Sequence, residues 1–173
     1  MKKGLLVIDR GSREVEAKEE LDIICKKVKD KGNYHYSDFC FLEVIPPFIN
    51  EGIKKSLESG IESLTIVPYF LYHGKKVKIA VTEAMKLQKN TDVKFVVSKP
   101  MSMHKTMINL VQSRITSTLK ENNQNFDKKD VDVLIIGHGS KDPNAKIAIK
   151  YVSDGLKSQY RNVDFCFLEI EEP

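Results

Sequence analysis

The sequence predicts an α/β fold: a parallel four-stranded sheet with helices on both faces, followed by the strand-helix-strand start of a second copy. Three observations predict it. Short apolar runs alternate with segments of helical length, two blocks of sequence recur later in the same order, and the glycine-bearing turns of both copies follow an apolar run and precede a helix.

The runs Leu5–Ile8, Phe39–Val44, Leu64–Val67 and Val93–Val97 are rich in β-branched and aromatic residues, lack helical spacing and read as strands. Between them lie Glu14–Asp30, with apolar Leu21, Ile24, Cys25 and Val28, then Phe48–Ser59, Val77–Leu87 and Lys105–Leu119, all with helical length and pattern. Such alternation gives parallel strands joined by right-handed crossovers, with ligands held at the carboxyl ends of the strands.

The repeat defines the domain plan. LLVIDRGSREVEA, starting at Leu5, returns as VLIIGHGSKDPNA, starting at Val133, and DFCFLE at Asp38–Glu43 returns unchanged at Asp164–Glu169. The polar stretch Glu121–Asp130 has linker composition. The expected organisation is a first domain over 1–120, a linker over 121–130 and a partial second domain over 131–173, which reads as a truncated copy. A partial copy leaves a strand edge open, so that edge is expected to be capped by another chain, by packing on the first copy, or by local disorder.

Bulk properties narrow the function. With 41% hydrophobic residues in 173, the chain can bury a core, and no apolar run approaches the roughly 18 to 20 residues of a membrane span. No signal peptide is read at the start. Three cysteines without a CxxC pair suit a reducing cytoplasm. The +4 net charge is spread among both signs rather than gathered in a tract, which disfavours nucleic acid as a partner and suits a small polyanion.

His138 is the strongest single candidate, because Gly137 and Gly139 allow a sharp turn and leave its imidazole uncrowded at the sheet edge. The plainer reading is a solvated loop histidine in a glycine turn. The first block has Arg10 at the same place, and an arginine neither ligates a divalent ion nor accepts a proton. Glu43 and Glu169 end apolar runs, where a carboxylate needs a partner or faces a ligand.

A strand, then Gly-His-Gly-Ser-Lys at 137–141, a helix, Phe-Leu-Glu at 167–169, and Val67-Pro68-Tyr69-Phe70-Leu71 with Gly74 together resemble the class II chelatases, the sirohydrochlorin cobaltochelatases and ferrochelatases of cobalamin and siroheme synthesis. The resemblance covers nearly the whole chain. It implies insertion of a divalent metal (cobalt, iron or nickel) into a tetrapyrrole, with the metal as substrate and no organic cofactor. It also implies one histidine after the first strand and one after the third, and a family of homodimerising short forms and two-domain fusions. The first copy departs at both histidines, with Arg10 at one and Lys76 at the other. His73 would be a displaced ligand or an exposed loop histidine, His104 lies near another family turn or merely starts a helix, and His35 has no assigned role.

On this resemblance His138 and Glu169 are the expected catalytic and metal-holding residues. Sirohydrochlorin carries carboxylates around its rim, so Arg10, Ser12, Arg13, Lys75, Lys76, Ser140 and Lys141 are the expected substrate contacts. The expected partners are a tetrapyrrole and, through the incomplete second copy, a homodimer mate, with neither nucleic acid nor membrane. The non-enzymatic alternative is a tetrapyrrole- or metal-binding module that holds its ligand without turnover. Phosphoryl chemistry at the Gly-Ser turns is a weaker rival, since phosphatases with a strand-end His-Gly need an arginine just before the histidine, where this chain has Gly137.

Overall fold

A computed structural model describes residues 1–71, 74–122 and 126–170. The chain divides into two compact units, one holding Met1–Phe70 with Lys75–Pro100, the other holding Met101 onward with Leu71 and Gly74.

The first unit contains β1 (Lys3–Asp9), α1 (Val15–Gly32), β2 (Tyr36–Phe41), α2 (Ile49–Glu58), β3 (Ser63–Pro68), α3 (Lys75–Leu87) and β4 (Lys94–Val97). Its four strands are all parallel in the order β2-β1-β3-β4, with Ile8 opposite Cys40 on one side and Pro68 on the other. A central parallel strand is buried on both faces, which is why β1 reads as an unbroken apolar run. Its side chains divide by parity: Leu6 and Ile8 pack with Ile49 and Ile53 of α2, Ile66 of β3 and Ala80 and Ala84 of α3, while Leu5 and Val7 pack with Leu21 and Cys25 of α1 and Phe39 and Phe41 of β2. Full burial of one such side chain is worth about 1.5 to 3 kcal/mol. The predicted parallel sheet with helices on both faces is therefore present.

Two element ends differ from the sequence expectation, and both bear on the site. The second strand, expected to reach Val44, stops at Phe41, because the chain reverses at Val44, where φ is 77°. The third helix begins at Lys75 rather than Val77, which places Lys75 and Lys76 in its first turn.

The second unit contains α4 (Lys105–Glu121), β5 (Asp132–Gly137), α5 (Pro143–Leu156) and β6 (Asn162–Phe167). Helix α4 belongs to the span 1–120 in sequence, but its Ile108, Val111 and Ile115 pack with Val152, Leu156, Tyr160 and Val163. Strands β5 and β6 pair in parallel, with Ile136 opposite Cys166. Leu134 and Ile136 are 60% and 56% exposed, whereas Leu6 and Ile8, their counterparts in the sequence repeat, are fully buried.

The turn after β1 depends on Gly11, which has φ +103°, and a Cβ there would run into the backbone oxygen of Glu43. Gly60 also has positive φ, +72°, but has open space around it. Gly60→Ala should therefore cost only backbone strain, about 1 to 2 kcal/mol. Gly11→Ala should lower unfolding free energy by clearly more, measured by denaturant titration, and equal losses would show that the close approach carries no energy.

Candidate functional site

The rim of the first unit is built at the carboxyl ends of β1 and β2. Asp9 Oδ2 accepts a hydrogen bond from the Gly11 amide at 2.9 Å, and Ser12 Oγ accepts one from the Glu14 amide at 3.1 Å, leading the chain into α1. Past the last β1–β2 strand pair, the Leu42 amide donates to the Asp9 carbonyl (2.8 Å) and the Glu43 amide to the Arg10 carbonyl (3.0 Å). The Ile45 amide then donates to the Glu43 carbonyl at 3.0 Å, closing a three-residue γ-turn about Val44. A β-branched residue at positive φ is strained, and strain of this kind concentrates at functional sites.

These bonds bring Glu43 beside Arg10. Arg10 Nε lies 2.8 Å from Glu43 Oε1, and Lys76 Nζ, from the first turn of α3, lies 2.5 Å from Glu43 Oε2. A cation at a helix amino end opposes the helix dipole, and the Glu43 carboxylate offsets that cost for Lys76. The Lys76 ammonium first, and the Arg10 guanidinium second, hold the Glu43 carboxyl below the usual carboxylate range. Arg10 and Lys76, the positions where the resemblance implies histidines, thus converge on a single carboxylate. Arg13 and Lys75 are exposed and have no side-chain partner among the described residues.

The second unit carries the same backbone arrangement. The Leu168 amide donates to the Gly137 carbonyl (2.8 Å) and the Glu169 amide to the His138 carbonyl (3.1 Å). Gly139 has φ +92°, a Cβ there would run into the Glu169 backbone oxygen, and Ile170 has φ 73° where the first unit has Val44. Ser140 Oγ accepts from the Asp142 amide at 3.1 Å, as Ser12 does from Glu14. Even the edge-to-face ring pair recurs, Phe165 with Phe167 as Phe39 with Phe41.

The side chains differ. His138 is exposed, with its Nδ1 3.3 Å from the Gly139 carbonyl, too long for a strong bond, and the Glu169 carboxylate has no partner among the described residues. Lys141 is likewise exposed. Among the described residues no group of three or more histidine, cysteine, aspartate or glutamate side chains is arranged to hold a metal. His138 and Glu169 bring an imidazole and a carboxylate to this rim, with no side-chain contact between them. His104 caps α4, its Nδ1 accepting from the Thr106 amide, which is the plainer of its two readings. His73 lies outside the described residues.

Sequence reasoning missed three features: the role of Asp9 in fixing the Gly11 turn, the strained residues Val44 and Ile170, and the joint hold of Arg10 and Lys76 on Glu43. The last had a signal, since both replacements of an expected imidazole are cations and the acid between them is kept.

The rim is built from loops at the carboxyl ends of parallel strands, the place where α/β proteins of this architecture hold their ligands. The CbiX family model matches residues 4–118 and 132–173, and the chain belongs to that family. It is 25% identical over 175 residues to a sirohydrochlorin ferrochelatase of Priestia megaterium, covering 98% of this chain and 64% of that protein. It is 25% identical over 177 residues to a sirohydrochlorin cobaltochelatase of the same organism, covering 99% and 56%. The chain thus spans about three-fifths of the length of these curated relatives. Its fold matches SirB from Bacillus subtilis with Fe3+ at a TM-score of 0.87 and 22% identity, covering 100% of this chain and 68% of that one. A cobalt complex of SirB from the subspecies spizizenii matches at 0.76 and 20% identity, covering 95% and 67%.

The ion cluster on Glu43 has a signed pH dependence. A lowered carboxyl pKa means that the pairing is complete above the ordinary carboxylate range and is lost only as pH falls through the lowered value. Replacing Lys76 with Met should raise the Glu43 titration midpoint, and replacing Arg10 with Met should raise it by less, as read by carboxyl carbon NMR. Unchanged midpoints would show that the pairs do not persist in solution.

Proposed function

We propose that this chain acts in inserting a divalent metal, cobalt or iron, into sirohydrochlorin. Membership of the CbiX family over residues 4–118 and 132–173 is the observation that carries this reading, because the matching relatives are sirohydrochlorin chelatases by name. The loops at the carboxyl strand ends support it, since they gather cations in the first unit and, in the second, carry an exposed imidazole and a carboxylate that has no partner among the described residues.

Residues 131–173 are read as a second copy of the 1–120 unit. The common register, the positive-φ glycines and the strained residue after each glutamate support this. Metal insertion strips water from the ion and removes two pyrrole protons. His138 and Glu169 are assigned both tasks in turn: the imidazole and the carboxylate would first hold the ion and, as it passes into the ring, would each be freed to take one of the two pyrrole protons. Arg10, Arg13, Lys75, Lys76 and Lys141 are assigned the tetrapyrrole carboxylates, with Ser12 and Ser140 shaping the turns that carry them. Arg10 retains its two terminal nitrogens for that purpose while Nε stays on Glu43. The metal is a substrate on this reading, no organic cofactor enters, and the protein works in the cytoplasm; no helix among the described residues is long and apolar enough to cross a membrane.

A second reading has its own observation. Glu43 is already neutralised by two side-chain cations, so the first unit suits a module that binds tetrapyrrole or metal without turning it over. The absorbance change of sirohydrochlorin with cobalt(II), corrected for the spontaneous rate, separates the two. Acceleration by the protein that falls at least tenfold in His138→Ala supports insertion; binding without acceleration rejects it in favour of the holding module.

A further inference from the structure

One apolar side chain at the first rim stays outside the cores that claim its neighbours. Leu42 packs against the core that holds Leu6 and Ile8, and Ile45 against the core that holds Leu5 and Val7. Val44, between them, is 45% exposed. Its backbone is firmly held. The Glu43 amide donates to the Arg10 carbonyl, the Ile45 amide to the Glu43 carbonyl, and the Phe41 amide to the Pro47 carbonyl at 2.8 Å, which closes the loop at its base. Val44 Cβ lies 3.3 Å from the point that a Cβ on Gly11 would occupy. The side chain therefore starts beside the Arg10–Gly11 turn, next in sequence to the carboxylate that holds Arg10 and Lys76.

Valine is a costly choice at this position. Glycine adopts a φ of 77° without steric penalty, whereas a β-branched residue is strained there. The second unit makes the same choice: Ile170 has φ 73°, and its Cβ lies 3.5 Å from the corresponding point on Gly139. After the shared DFCFLE the two copies diverge, Val-Ile-Pro-Pro against Ile-Glu-Glu-Pro, yet each puts a β-branched apolar residue at the strained position. Core packing does not account for Val44, which belongs to neither core of its unit. A half-exposed apolar group beside two cations suits a ligand with a flat apolar face and an anionic edge.

We propose that Val44 is a binding contact for the face of the tetrapyrrole. The macrocycle lies flat on the isopropyl group, and that seat brings its peripheral carboxylates to Arg10 and Lys76. The inference rests on the metal-insertion reading and adds to it a contact that touches neither the ion nor a pyrrole proton. Val44 thus contributes to affinity for the tetrapyrrole and not to affinity for the metal.

The test is the dissociation constant of metal-free sirohydrochlorin for the full chain, read from its absorbance, beside the cobalt(II) affinity and denaturant midpoint of each variant. Val44→Gly should weaken tetrapyrrole binding about fivefold, because about half of a valine's burial remains to be gained. Its midpoint should be no lower, since relief of strain offsets the greater freedom of glycine in the unfolded chain. Val44→Thr keeps the branching and the strain while replacing a methyl by a hydroxyl, and should weaken binding about threefold. Val44→Ile should bind as the parent does. Val96→Thr is the control: Val96 is 46% exposed but sits opposite Thr65, short of the carboxyl end of β3, so its affinity should be unchanged. Cobalt(II) affinity should be the same throughout. Parental tetrapyrrole affinity in Val44→Thr, an equal loss in Val96→Thr, or a lowered midpoint in Val44→Gly overturns this proposal and leaves the metal-insertion reading standing. A parent chain that does not bind sirohydrochlorin overturns that reading, and this proposal with it.

Discussion

Two backbone hydrogen bonds, from the Glu43 amide to the Arg10 carbonyl and from the Glu169 amide to the His138 carbonyl, determine what each rim can do. Each lies just past the last strand pair of its unit and sets the backbone of a glutamate beside the residue that follows the first strand. The approach is close enough that only glycine fits at positions 11 and 139, and the chain then escapes through a strained β-branched residue. With the backbone fixed in this way, the side chains at positions 10 and 138 decide the chemistry.

At position 10 the choice is an arginine, and Lys76 joins it. Two fixed charges on one carboxylate do electrostatically what a bound dication would do, and an incoming metal would have to displace an ammonium and sit beside a guanidinium that never loses its charge. At position 138 the choice is an imidazole, and the carboxylate of Glu169 has no partner among the described residues. One backbone design thus carries two electrostatic states: a carboxylate held by two side-chain cations in the first unit, and a carboxylate with no partner among the described residues in the second.

The sequence made the architecture legible because the apolar pattern is strong. Leu5–Ile8 reads as a doubly buried strand and is one, and the unchanged DFCFLE pair announces two loops of one geometry. The end of β2 was not legible: Leu42, Glu43 and Val44 continue a strand-like run, and nothing local marks Val44 as the turn, whose backbone bonds reach from Glu43 to Arg10 and from Ile45 to Glu43. The hold of Arg10 and Lys76 on Glu43 was hidden for a similar reason. It joins residues 33 positions apart on each side of the glutamate through a helix that starts two residues earlier than its apolar periodicity shows. The packing of α4 with α5 has no marker in the sequence, since an amphipathic helix does not say which core it covers.

The measurement that bears most directly on the unequal rims is the site at which cobalt(II) binds, read as paramagnetic broadening of backbone amide signals during a titration of the full chain. Broadening centred on His138, Gly139 and Glu169, with the signals of Arg10, Gly11 and Glu43 left sharp, is the expected result. Broadening centred on Arg10, Gly11 and Glu43 would contradict it, because it would show a metal entering the cluster that the two side-chain cations are held to close.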